Sequence, residues 1–341
     1  MIVVGIETSC DETAIGILEF KQKRIKILAN LIHSQVKIHQ KYGGVYPFLA
    51  KREHKRNLPI LFEKSLKILK HKKIDLIAVT KGPGLEPCLW EGINFAKEIS
   101  KKLKIPVLGV NHLEAHILIN FLGKRKIKNL LPALCLVISG GHTVLFLMEK
   151  IGKYSLLGQT RDDAVGECYD KIGRLFSFSY PAGPKIGEFL KNYKPKSKFE
   201  VKFPRPMINQ KNYDFSFSGL KTAIFYDYKK QPDEIKKSKD YAYFVLKEMK
   251  NAVSDVLISK TFRAKKEFLV KSILVGGGVA ADDFLQKRFE KEAKRQKIKI
   301  FFPEKKYCTD NGVMVSLNGY FNFVLKKKFE KEIFANPDLT I

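Results

Sequence analysis

The sequence predicts an α/β protein built twice on one plan, and three observations carry that reading. Strand-like and helix-like segments alternate along the chain. An apolar hairpin with a small polar tip occurs near residue 10 and again near residue 140. Glycine-rich turns stand where strands give way to helices. At 341 residues the chain suits about two domains, and a folded chain of that length buries about 75% of the surface it exposes unfolded, so a core forms without covalent help. The reading places a first lobe at 1–128, a second at 129–310, and a C-terminal segment at 311–341 that packs back on the first lobe. Each lobe begins with a hairpin whose tip is expected to face a shared nucleotide cleft.

In IVVGIETSCDETAIGILEF the runs 2–7 and 13–18 read as strands around a polar turn that holds Asp11 and Glu12. A helix is expected at 53–70, a strand at 76–79, then the loop KGPGLEP, a helix from Trp90 and a short strand at 107–110. Next comes VNHLEAHILIN, where His112 and His116 stand four apart, so that on a helix their rings leave one face and can converge on one point. PALCLVISGGHTVLFLM repeats the hairpin design with a Ser-Gly-Gly-His-Thr tip. The stretch 162–176 carries Val165, Cys168, Tyr169, Ile172, Leu175 and Phe176 at helical spacing, with Thr160 and Asp163 resembling a capping box. Residues 190–250 are lysine-rich and read as largely helical, an insertion or outer layer. SILVGGGVAADDFLQKRF then gives strand, glycine turn and helix before the strand IKIFF.

Composition bounds the function. The five cysteines (Cys10, Cys88, Cys135, Cys168, Cys308) are odd in number and never spaced as C-x-x-C, against both a disulfide framework and a zinc ribbon. No run reaches the ~18 apolar residues of a membrane span, and MIVVGIETSCDE lacks the layout of a signal peptide. The expectation is a cytoplasmic protein with reduced thiols and no membrane partner. Lys and Arg total 63 against 35 acidic residues, a formal charge of +28, which favours polyanions such as nucleic acid. The basic residues form short patches (KHKK at 70–73, GKRKIK at 123–128, KRQKIK at 294–299). A lysine bias of the whole proteome gives the same count, so charge leaves both readings open.

The tip ISGGHT has two glycines, Gly140 and Gly141, whose N–H groups can approach an anion, although Gly-Gly is also a favoured hairpin turn. VGGGVAADD stands where a strand meets a helix N-terminus, a place that attracts phosphate. Gly276-x-Gly278-x-x-Ala281 with Glu304 mimics a dinucleotide fingerprint, which makes an NAD enzyme a competitor. Its position near the C-terminus and the hairpin lobes argue against that. His-x-Glu-x-His differs from the protease pattern His-Glu-x-x-His, because Glu114 leaves the face the histidines share. Asp310, in YCTDNG, is the candidate third ligand, and a pair of core or capping histidines is the alternative. Asp11, Glu12, Asp170 and Lys221 are the other polar residues in apolar settings.

Together these motifs resemble the TsaD (Gcp) family of bacterial tRNA N6-adenosine threonylcarbamoyltransferases. The resemblance runs through GIETSCDET, GGVYPFLAKREH, GPGL, NHLEAH, SGGHT, DDAVGECYDK, YPAGP, DFSFSGLKTA, GGGVAA and CTDNG. It implies the two-lobed fold of actin, hexokinase and the heat-shock chaperone ATPases. It implies transfer of threonylcarbamoyl from threonylcarbamoyl-AMP to the exocyclic amine of the adenosine 3′ of the anticodon, in tRNAs reading codons that begin with A, with release of AMP. His112, His116 and Asp310 correspond to ligands of one divalent metal per subunit, iron first, with zinc or magnesium as alternatives. Val137, Ile138, Ser139, Gly140 and Gly141, with Asp170 and Gly183, correspond to adenylate and substrate contacts. Apart from the resemblance, Asp11, Glu12 or a group of the substrate itself is the candidate proton acceptor. The implied partners are tRNA, a non-catalytic TsaB-like paralogue and a small TsaE-like P-loop ATPase.

The chain departs from the family pattern in four places. Asp282 stands where Asn is usual, and a carboxylate there is expected to repel phosphate. Gly187 stands where many members place an acid against the ribose, Ala182 replaces a Gly, and Pro87-Cys88 replaces small residues. Two further classes stay open on sequence grounds: an ATP-hydrolysing chaperone or kinase of the same fold, and a non-enzymatic tRNA-binding subunit.

Overall fold

A computed structural model describes residues 1–22, 24–70, 72–124, 127–326 and 332–341. His71, Arg125 and Lys126, from two of the basic patches, lie outside the described residues, as do 327–331 of the C-terminal segment. The chain divides into two compact units, one of residues 1–129, 151–153 and 303–341, the other of 130–150 and 154–302. Asp310, which the sequence boundaries assign to the second lobe, therefore belongs to the first unit.

In the first unit, β1 (Ile2–Glu7), β2 (Glu12–Lys21) and β3 (Arg24–Ser34) lead through α1 (Val36–His39) and α2 (Pro47–Leu69) to β4 (Leu76–Gly82), α3 (Glu86–Leu103), β5 (Val107–Asn111) and α4 (His112–Leu118). The sheet order is β3-β2-β1-β4-β5, with β1 antiparallel to β2 and parallel to β4. All six residues of β1 are buried, as expected for a strand covered on both faces. On one face Leu58, Leu61 and Phe62 of α2 and Ile93 and Ala96 of α3 join the core that contains Val4 and Ile6.

Both helices begin earlier than their apolar periodicity suggests. Each has proline in its first turn, where a missing N–H costs nothing. The missed residues 47–52 bury only Ala50, too little to show as an apolar stripe, and the inward positions that follow, Glu53, His54 and Asn57, are polar. His54 is satisfied there by the Cys10 carbonyl at 2.9 Å and the Thr13 hydroxyl at 2.8 Å.

The second unit repeats the plan. It contains β6 (Ala133–Ile138), β7 (Thr143–Lys150), β8 (Lys153–Gln159), α5 (Val165–Leu175), α6 (Ala182–Asn192), α7 (Ser218–Lys230), α8 (Asp233–Lys236), α9 (Lys239–Phe268), β9 (Ser272–Gly276), α10 (Asp283–Arg295) and β10 (Lys299–Phe301). Its sheet order is β10-β9-β6-β7-β8, with β6 antiparallel to β7 and parallel to β9. The pairing of the first sheet is thus reproduced strand for strand around the central hairpin.

Two expectations are corrected here. Residues 193–217 contain no assigned helix, and α9 is no outer layer: Val245, Leu246, Met249, Val253, Val256 and Leu257 are fully buried. The lysines ahead of α9, with exposed Lys239 and Lys247 on the helix itself, hide that stripe in the composition. The capping box is also absent, since α5 starts at Val165 with Ala164 as its cap. Thr160 instead donates its hydroxyl to the Asp163 carbonyl (2.8 Å), and the Asp163 carboxylate pairs with Lys171 and Lys221. The neighbouring Asp162 instead reaches across to α7, accepting from the Phe217 and Ser218 amides at its head.

The chain returns to the first unit with α11 (Gly312–Lys326). This helix meets β2 backbone to backbone: Ser316 donates to the Gly16 carbonyl at 2.9 Å, and a Cβ on Gly312 would fall 1.9 Å from the Gly16 nitrogen. Only glycine permits that approach. Among the described residues no helix is long and apolar enough to cross a membrane, and all five cysteines are unpaired.

Candidate metal centre and glycine-rich turns

The metal candidates are positioned by a strand end and a cap. Asn111, the last residue of β5, accepts at its side-chain oxygen from the Leu113 and Glu114 amides (2.8 and 3.1 Å), which fixes the first turn of α4. His112 and His116 then lie one turn apart with ring centroids 4.6 Å from each other. The close seating of α11 on β2 holds Asp310 just before Gly312, and its Oδ1 lies 3.0 Å from His116 Nε2 and 3.6 Å from His112 Nε2. The three ligand atoms fall within 4.8 Å of one another. Two imidazole nitrogens and a carboxylate oxygen around one point fit a divalent cation. Glu114 faces elsewhere, accepting from Asn322 at 3.2 Å.

A residue the sequence reading did not single out completes this centre. Glu7, fully buried at the end of β1, accepts at Oε2 from His112 Nδ1 (3.1 Å) and from the Thr80 hydroxyl (2.6 Å), and at Oε1 from the Ser9 amide (2.7 Å). A carboxylate on Nδ1 orients the ring and leaves Nε2 to face the centre. Burial disfavours a charged His112, but Glu7 and Asp310 outweigh it and raise the ring to about 9. Glu7, against the same burial, is held below the usual carboxylate range chiefly by His112. The one signal in the sequence is that an acid closes an otherwise wholly apolar strand, where an unpaired charge is costly.

Asp11 and Glu12 lie at the tip of the same hairpin. Asp11 is buried, and Glu12 accepts from the Ser34 hydroxyl at 3.2 Å. Burial, then the charges of Asp11 and Asp310, push Glu12 well above the ordinary carboxylate range.

In the second unit three glycine-bearing segments meet. The tip closes on itself, with the Ser139 amide donating to the His142 carbonyl (2.8 Å) and the His142 amide to the Ser139 hydroxyl (3.0 Å). Gly140 and Gly141 are exposed at its apex, and Val137 and Ile138 are buried beneath it. The Gly166 amide, in the first turn of α5, donates to the Ser139 carbonyl at 3.1 Å. Gly277, at φ +91°, lies so close to the tip strand that a Cβ would fall 2.4 Å from the Ile138 carbonyl oxygen.

The remaining predicted contacts gather around α6. Asp170 accepts from the Ala182 amide at 2.6 Å and so fixes the start of that helix. Gly183 and Gly187 follow one turn apart. Asp282 caps α10, accepting from the Phe284 amide at 3.0 Å, and lies 2.8 Å from the ammonium of Lys250, which is 1% exposed. The expected repulsion of phosphate by Asp282 is corrected accordingly: its charge has a buried counter-ion.

The dinucleotide fingerprint is also corrected. Residues 278–281 form a short 3-10 turn, the helix begins only at Asp283, and Glu304 is an exposed partner of Lys306. Lys221 is held by Asp163.

The paired sheets place the chain in the fold class of the actin- and hexokinase-like ATPases, and the triad adds a candidate divalent metal centre to it. Among solved structures it is similar to HypF from T. kodakarensis (TM-score 0.62, 16% identity), covering 98% of this chain and 49% of that one, so it spans about half of HypF. It is also similar to component A of the (R)-2-hydroxyglutaryl-CoA dehydratase of Acidaminococcus fermentans (TM-score 0.53, 12% identity, 95% and 99% covered). The ROK hexokinase of Thermus thermophilus is comparable (TM-score 0.51, 13% identity, 96% and 100% covered). The family model for TsaD, tRNA N6-adenosine threonylcarbamoyltransferase, matches residues 26–317. Proteins of that name from Thermosipho africanus and Dictyoglomus turgidum are 42% and 44% identical to the chain, covering all of it and 100% and 99% of their own lengths. The chain belongs to the TsaD family.

Proposed function

We infer that the protein is a tRNA N6-adenosine threonylcarbamoyltransferase. Full-length kinship with proteins of that name supports this, and the convergence of His112, His116 and Asp310 is the observation of this chain that carries it. The donor we propose is threonylcarbamoyl-AMP, and the acceptor is the adenosine 3′ of the anticodon in tRNAs reading A-starting codons. The exocyclic amine attacks the carbamoyl carbon, a C–N bond forms, the bond from that carbon to the phosphate oxygen breaks, and AMP leaves with the electron pair. Asp11 or Glu12 accepts the proton the amine gives up.

The exposed N–H groups of Gly140 and Gly141 suit the adenylate phosphate, and Asp170, by fixing the start of α6, orients Gly183 for substrate. His112, His116 and Asp310 would hold the metal, with Glu7 orienting His112. When bound, a divalent cation supplies charge stabilisation at a polarised oxygen. Two imidazoles favour iron or zinc over magnesium, and iron is our first choice. The proposed helpers are a TsaB-like paralogue and a TsaE-like P-loop ATPase, and a tRNA substrate puts the reaction in the cytoplasm.

The test is mass spectrometry of tRNA nucleosides after depletion of the protein in its own cells. Threonylcarbamoyladenosine should disappear and return with the wild-type gene. It should not return with a gene carrying His112→Ala and His116→Ala. Persistence of the nucleoside after depletion would overturn the assignment.

A further inference from the structure

We propose that His54 is a positioning residue for the transfer: its ring ties Cys10 to Thr13 and so fixes the two acids that stand between them, Asp11 and Glu12. The proposal rests on the reading above in which one of those acids takes the amine's proton. It gives a task to GGVYPFLAKREH, a motif that the metal centre and the glycine-rich turns leave idle.

The geometry is local to the first unit, where the tip of the β1–β2 hairpin is held carbonyl by carbonyl. Ser9 accepts from the Leu85 amide at 2.8 Å, Cys10 from His54 Nε2 at 2.9 Å, and Asp11 from the Gln35 amide at 2.9 Å. On the other side of the acids the Thr13 hydroxyl meets His54 Nδ1 at 2.8 Å. One fully buried ring thus holds both flanks of the pair. A proton acceptor works only within hydrogen-bond reach of the proton it takes, and a misplacement of about 1 Å can cost about 100-fold in rate.

The partners also fix where the protons sit. A carbonyl only accepts, so His54 Nε2 carries a hydrogen, and in a neutral ring Nδ1 is then the acceptor to which Thr13 donates. The groups behind the ring agree. The Tyr46 amide can only donate, to His39 Nδ1 at 3.3 Å, so His39 Nε2 donates to the Gln35 side-chain oxygen at 3.1 Å. That turns the Gln35 side-chain nitrogen toward the Ala50 carbonyl and His54 Nδ1, each at 3.4 Å. A proton on His54 Nδ1 would face that N–H. Burial likewise pulls both rings below the ordinary imidazole range. His54 is therefore held neutral, in one tautomer and one orientation, and the hairpin tip inherits that order.

The experiment is steady-state transfer from threonylcarbamoyl-AMP to unmodified tRNA by the full-length protein, isolated together with its cellular partners. His54→Phe keeps a ring and removes both bonds; it should lower kcat by about 10- to 100-fold, with KM for tRNA and metal content unchanged. His54→Gln, whose amide again offers a donor and an acceptor, should restore most of that loss. Asp11→Asn with Glu12→Gln should itself slow kcat by about 100-fold or more. In that acid-free background His54→Phe should change kcat by less than about twofold, because a residue that acts through the acids has nothing left to act on. An unchanged kcat in His54→Phe overturns the proposal, as does a loss as large without the acids as with them. Should His54→Phe fail to fold, Thr13→Val decides: it removes one of the two bonds and should lower kcat by about fivefold, and a wild-type kcat overturns the proposal. A wild-type kcat in the acid-free protein overturns the proton-acceptor reading, and this assignment with it. Absence of transfer by the wild type overturns the transferase reading itself.

Discussion

Glu7 and Lys260 show how single buried charges report on function and on stability. Glu7 bonds His112 on the nitrogen that faces away from the triad, so Glu7→Gln should leave the three ligands in place and weaken metal affinity by about 10- to 100-fold. Replacing His112, His116 or Asp310 by alanine should remove the metal outright. Elemental analysis of purified variants separates the two outcomes. Lys260 is fully buried on α9, where its ammonium donates to the Asn212 carbonyl at 2.9 Å. Burial, then Arg263, lower it to about 8, against about 10.4 in an unfolded chain. Between those values the unfolded state binds more protons, so stability should rise with pH from about 8 to 10.4. Below that window the penalty is present in full. Urea unfolding across the window should show this rise, and Lys260→Met should flatten it.

Elements here are held by close backbone approaches as much as by apolar stripes. The turn after β9 depends on Gly277, where a left-handed conformation coincides with contact against Ile138. Gly277→Ala should cost about 2 kcal/mol or more, read as a lower urea midpoint with an unchanged slope. The head of α7 depends on Asp162, which takes two amides and the hydroxyls of Ser216 and Ser218. Asp162→Ala should destabilise the protein by about 1 kcal/mol. Strand positions were readable because β1 and β6 are continuous apolar runs. The start of α2 was not, because 47–52 bury only Ala50 and the next inward residues, Glu53, His54 and Asn57, are polar and extend no apolar stripe back to it. Most lysines that made 190–250 look peripheral stand ahead of α9, in loops and shorter helices, and mask the buried stripe that α9 carries.

At the scale of the whole molecule the governing quantity is the charge of +28. If that charge serves tRNA, log affinity should fall linearly with log salt, by about 0.7 to 0.9 for each phosphate neutralised. Filter binding of unmodified tRNA between 50 and 200 mM salt (about the range where such losses are steep) measures this. A flat response would assign the lysines to composition rather than to recognition.

Sequence by itself determined the α/β class, the duplicated hairpins, the glycine turns and the histidine pair, because each is written in residues a few positions apart and governed by local periodicity or backbone freedom. Order of motifs along the chain also sufficed for the family. Tertiary structure decided how the centre is assembled. His116 meets Asp310 across 194 positions and His112 meets Glu7 across 105, distances over which no local pattern carries information. It decided that Asp282 has a buried cation beside it, 32 positions away on α9. A carboxylate's effect on a ligand depends on what neutralises it, and the packing of α9 against the head of α10 brings that neutralising charge into contact.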